Sequence, residues 1–126
     1  MGYHMEARSR KLKEIGIDVS GVVNRLGGNE SLYLIICNKF TKDTNYLILK
    51  EALSKKDYQS AEIRIHTLKG IAANLGFIRL EIISRCVLND IRERKLVNLR
   101  QDIYSLTEEY QRIISALTED QQVFSN

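Results

Sequence analysis

Between Leu99 and Leu117 the apolar side chains fall at Leu99, Ile103, Leu106, Tyr110, Ile113 and Leu117, in steps of 4, 3, 4, 3 and 4. An α-helix turns once in about 3.6 residues, so this spacing puts all six on one narrow stripe. A half-buried strand needs a period of two, and no useful length of the chain alternates that way. A second stripe runs through Ala61, Ile65, Leu68, Ala72 and Leu75, in steps of 4, 3, 4 and 3. Such stripes suit the seams of a helical bundle, where each helix buries one side against its neighbours. The absence of proline from all 126 residues removes the strongest helix breaker. These features predict an all-α fold.

The breaks come from glycine, asparagine and aspartate. Gly27-Gly28-Asn29 is the clearest, with Asn29 as a helix cap and Glu30 in the first turn, where its charge suits the helix dipole. Tyr33, Ile36, Cys37 and Phe40 then keep helical spacing, as do Tyr46, Leu49 and Leu53 after a joint at Thr41 to Thr44. Asp57 can cap a helix over Tyr58 to Leu75, and Gly76 is a natural stop for it. Another helix is predicted over 79–95, with Leu80, Ile83, Val87 and Ile91 inward. Short joints favour up-down neighbours, so the expected architecture is an antiparallel up-down four-helix bundle over 15–118, preceded by short N-terminal helices. Residues 1–14 read as a lead-in whose first five, MGYHM, look vector-derived, which leaves His66 as the one native histidine. Residues 119–126 read as a frayed tail.

Composition narrows the function. A net charge of +3, from 19 basic and 16 acidic residues, is too weak and too dispersed to argue for nucleic acid. No apolar run approaches the length of a membrane span, and no signal-peptide pattern opens the chain. Cys37 and Cys86 each sit among apolar residues and read as buried free thiols of a reducing compartment. No Cys/His cluster has metal-ligand spacing.

One stretch departs from a plain amphipathic pattern: RIHTLKGIAANLG, residues 64 to 76. With the seam facing inward, a wheel of roughly 100° per residue turns His66 and Gly70 to the outer side and Lys69 to the flank. Ile63 and Ala73 share that outer side, where a solvated helix usually carries Lys, Glu or Gln. A glycine inside a helix costs about 1 kcal/mol against alanine. Close packing against the core does not explain Gly70, because it points away from the seam. Clearance does: with no side chain one turn above His66, a partner can approach the imidazole. A free imidazole, with a pKa of about 6.5, is a nitrogen nucleophile at neutral pH and can take a phosphoryl group. Lys69, one turn on, would favour the added negative charge. A hydrolase would need a carboxylate to orient His66 and a Ser or Cys nucleophile before it, and none is recognisable.

HTLKGIAANLG, His66 to Gly76, resembles the phosphoacceptor signature of histidine-containing phosphotransfer domains. GIDVSGVVNRLGGNESLYLIICNKF, Gly16 to Phe40, is similar to that family's lead-in segment, and Asp57, Ala61 and His66 keep its usual spacing. The resemblance covers about Ile15 to Leu117. It implies a four-helix bundle whose exposed histidine accepts phosphate from a receiver-domain aspartate and passes it to another receiver. By position His66 would be the phosphoacceptor, Lys69 the charge partner and Gly70 the clearance residue, with Ile63, Thr67, Ala73 and Asn74 as the docking patch. It further implies a chain with no catalytic activity and no cofactor of its own, the receiver supplying Mg²⁺. A cytoplasmic, bacterial, monomeric domain is implied, free or at the end of a hybrid sensor histidine kinase. Two positions depart from the pattern: Ile71 stands where a small residue is usual, and Leu88-Asn89 where a Leu-Glu pair is common. Altered packing is expected at Ile71. Two other readings remain. A kinase dimerisation domain would follow its histidine with an acidic residue and soon a proline, whereas Thr67 follows here. A helical interaction module would bind partners without phosphotransfer.

Overall fold

The computed structural model describes residues 2–125, with side chains over 6–118. Seven α-helices follow one another there, and no strand occurs among the described residues. They are α1 (Gly2–Glu14), α2 (Val19–Arg25), α3 (Glu30–Phe40), α4 (Asn45–Ser54), α5 (Tyr58–Leu75), α6 (Ile78–Glu93) and α7 (Leu96–Ser125). The segment read as a lead-in is thus mostly helix, and it buries Leu12 in the core. The tail expected to fray keeps helical backbone as far as Ser125, while its side chains, like those of MGYHM, lie outside the described residues.

Local chemistry sets the helix ends. Asp18, Asn29 and Asp57 each accept a hydrogen bond from the backbone N–H three residues on, at 3.0, 2.9 and 3.2 Å. Each bond satisfies a donor that a helix start leaves without a partner. Gly27 and Gly28, at φ 70 and 83, make the left-handed turn between α2 and α3. Arg94 takes a left-handed φ of 56, and the N–H of Lys95 closes back on the carbonyl of Asp90 at 2.9 Å. That stops α6 at Glu93, short of the Lys95 boundary expected from sequence.

From α4 onward each helix packs on the next, and the joints are so short that each reverses on the one before. Across α5 and α6, Arg92 faces Glu62 at 3.7 Å, and across α6 and α7, Arg79 faces Glu109 at 3.5 Å. The last helix meets α4 through Tyr46, whose ring stacks on Tyr110 at 3.9 Å and whose hydroxyl donates to Thr107 Oγ1 at 2.8 Å. α1 lies along α7 and α3, while α2 and α3 lean on α5. One core joins them, built mainly from the stripes read in the sequence. Leu99, Leu106, Ile113 and Leu117 are buried, with Ile103 and Tyr110 packed at its edge. Each large aliphatic side chain so enclosed contributes about 1.5–3 kcal/mol.

The reading of two core thiols needs correction. Cys37 is buried, but Cys86 is exposed. It precedes Val87, so a rotation of about 100° carries it off the α6 seam and onto the outer side.

Candidate functional site

The outer face of α5 is defined by how firmly its inner face is held. Ala61, Ile65, Leu68, Ala72 and Leu75 are all buried, so the helix cannot rotate about its axis without exposing them. Its C-terminal end is tied to two earlier helices. Tyr33 on α3 donates its hydroxyl to the Leu75 carbonyl at 2.8 Å, inside the core. Asp18, the cap of α2, donates its N–H to the Gly76 carbonyl at 2.9 Å. Gly76 sits at φ 77, and a Cβ there would come within 2.7 Å of the Asp18 carbonyl oxygen and 2.9 Å of Val22 Cγ2. It therefore serves both as a left-handed helix stop and as the point of closest approach between α5 and α2.

With the seam fixed inward, His66 and Gly70 stand exposed, one turn apart, in the middle of an unbroken run of helix. A Cβ added at Gly70 would meet nothing within 4 Å. Among the described residues no neighbouring helix comes within that distance, so close packing is not the reason for the glycine. Lys69 lies on the flank, half-buried. Among the described residues, neither His66 nor Lys69 has a hydrogen-bond or ion-pair partner. The ionic side chains beside them are turned elsewhere: Arg64 reaches Asn45 at 3.3 Å, and Glu62 faces Arg92. The imidazole is thus not held by a carboxylate in the manner of a hydrolase triad.

The residues taken as a docking patch share this face. Ile63 is 58% exposed, and Thr67, Ala73 and Asn74 are exposed as well. Thr67 turns its hydroxyl back to the Ile63 carbonyl at 3.0 Å, so it presents mainly its methyl group outward. Beside Asn74 opens a groove of about 240 Å³, lined by Ile36, Lys39, Phe40, Asp43, Ile71 and Leu75. Sequence reading gave no hint of it, because it arises where α3 crosses the end of α5. Ile71 is half-buried and packs against the core, and it helps to line that groove. Asn89 is exposed near the end of α6.

The other reactive groups are poorly placed for catalysis. Burial pushes the Cys37 thiol up to about 11, against a smaller opposing effect from its hydrogen bond with Tyr33. Such a thiol is inert at neutral pH. Among the described residues, no group of three or more His, Cys, Asp or Glu side chains could hold a metal ion, and no helix is long and apolar enough to cross a membrane. No family model, no curated protein and no solved structure matches the chain.

Proposed function

We propose that the chain is a phosphorelay carrier, with His66 as the phosphoacceptor. The observation that carries this reading is the open space above an exposed His66, where Gly70 offers no side chain and no neighbour intrudes. The imidazole nitrogen attacks the phosphorus of a receiver's aspartyl phosphate. A P–N bond forms as the acyl P–O bond breaks, and the aspartate leaves as a carboxylate. Transfer to a second receiver reverses these events. The chemistry asks mainly for alignment and charge stabilisation, so a helix that only presents a nucleophile suffices. Lys69 supplies a positive charge one turn away, and Mg²⁺ belongs in the receiver's acidic pocket. The domain has no catalytic activity of its own.

In this reading α4 to α7 form an antiparallel up-down four-helix bundle and α1 to α3 brace it. Ile63, Thr67, Ala73 and Asn74 then form the surface on which a receiver settles. The domain acts as a monomer in the bacterial cytoplasm, alone or at the cytoplasmic end of a hybrid sensor histidine kinase.

The test uses receiver domains charged with labelled phosphate on their aspartate, with Mg²⁺, mixed with the wild type and with His66→Gln. Acid-labile, base-stable label on the wild type alone is the expected result. Absence of label from both, across several receivers, would move the function to an interaction module that uses the same face without phosphotransfer. Label that appears only with ATP and a kinase catalytic domain, and none from receivers, would favour a kinase dimerisation role instead.

A further inference from the structure

Near the start of α6 the fold satisfies a buried carboxylate fully. Glu109, whose side chain is 6% exposed, accepts from Arg112 Nε at 3.0 Å and Nη2 at 2.9 Å, and lies 3.5 Å from Arg79 Nε. Near the end of α6 it does the opposite. Asp90 is 4% exposed, and its Oδ2 is buried without a hydrogen-bond partner. The group that faces it from α7 is a second carboxyl, Asp102. The cations around this corner are engaged. Lys95, in the joint, binds Glu93 at 2.7 Å. On the α5 side, Arg92 faces Glu62, and Arg94 lies 4.6 Å over the ring of Tyr58. Glu93 adds further negative charge, and Lys95 offsets part of it.

A half-buried Asp102 carboxyl beside the buried one of Asp90 means that the two cannot both ionise cheaply. No third ligating side chain joins them among the described residues, so a proton rather than a metal ion is the group that relieves the repulsion. With one proton between them, the pair becomes an O–H···O⁻ hydrogen bond across the α6–α7 interface. We propose that Asp90 and Asp102 form a proton-operated clasp between α6 and α7, closed when they share a proton and slackened when both are ionised. Burial first, and then the hydrogen bond and charge of Asp102, push the Asp90 carboxyl up to about 6, which places the change at the acid side of neutrality. His66 takes no part in the clasp.

The sign follows from linkage. A folded-state carboxyl pKa raised above its unfolded value means that the folded state holds a proton the unfolded chain has released. Stability contributed by the clasp is therefore present at low pH and lost as pH rises from the unfolded value through about 6. Asp90→Asn mimics the protonated acid and should abolish that loss.

Carboxyl-carbon NMR of the whole chain, titrated from about pH 3 to about pH 9, reads the pair directly. Asp90 is expected to titrate well above an ordinary aspartate, and to return toward normal in Asp102→Asn. Hydrogen exchange reads the slackening. Above the transition, amides at the start of α7 should exchange on the order of tenfold faster in the wild type than in Asp90→Asn, and equally fast below it. An ordinary Asp90 titration would overturn the clasp. So would an exchange difference between the two proteins that does not change with pH, since a purely structural role gives that result.

Discussion

Two glycines on α5 illustrate how the same residue type serves opposite needs. Gly76 is required by crowding and backbone shape. At φ 77, with the Asp18 carbonyl 2.7 Å from where a Cβ would lie, Gly76→Ala strains the helix stop and pushes α2 from α5. The expected cost is about 1–3 kcal/mol, measured by urea unfolding followed by circular dichroism. Gly70 is not required by the fold at all, since nothing lies within 4 Å of its Cβ position. Gly70→Ala should therefore raise stability by about 0.5–1 kcal/mol, as expected for an exposed helix interior. Gly70→Glu should likewise hold or raise the unfolding midpoint and yet slow phosphoryl transfer to His66 on the order of 10²-fold, by holding the receiver off its alignment. Wild-type transfer rates in that variant would remove clearance as the explanation. These two roles were separable in the sequence, because Gly76 ends a stripe and Gly70 faces away from one. The groove beside Asn74 was not legible, since it depends on where α3 crosses α5.

At the scale of the element, α5 was the most legible part of the chain. Its boundaries, Tyr58 and Leu75, follow from a capping aspartate on one side and a glycine stop on the other. Its buried residues are the five of its sequence stripe. α6 was harder. Its inner side includes Ser84 and Asp90, which no hydrophobic pattern marks, and its outer side carries Ile82 and Cys86, the latter read as a core thiol only because its sequence neighbours are apolar. Burial of a polar side chain is decided by what faces it across an interface, and spacing within one helix does not report that. The contrast between the two sides of α5 gives a test. Leu68 is fully buried, so Leu68→Ala should cost about 2–5 kcal/mol through lost burial and the cavity left behind. His66→Gln, two residues away on the exposed side, should stay within about 0.5 kcal/mol of the wild type. Equal losses from both, in the same unfolding assay, would mean that the face of α5 is not the one described.

At the scale of the whole molecule, the all-helical class was legible from periodicity alone, while the closing contacts were not. Tyr46 stacking on Tyr110 joins α4 to α7, and Tyr33 joins α3 to the end of α5, across separations that no local pattern encodes. Cys37 lies inside the core on α3: it is fully buried, next to Tyr33 one turn back and within the influence of Arg8 of α1. An alkylating reagent can reach it only when α3 leaves the core, and the thiol must then lose its proton. Cys86 needs neither event, being exposed on α6. In native buffer, iodoacetamide should therefore modify Cys86 at the rate of a free surface thiol. Cys37 should react slower by the opening constant of the core, on the order of 10³-fold or more for a domain of ordinary stability. Adding urea should bring the Cys37 rate up along the unfolding curve and leave the Cys86 rate nearly flat. Prompt modification of both thiols in native buffer would place Cys37 in a part of the molecule that opens without global unfolding, and would separate α3 from the cooperative core.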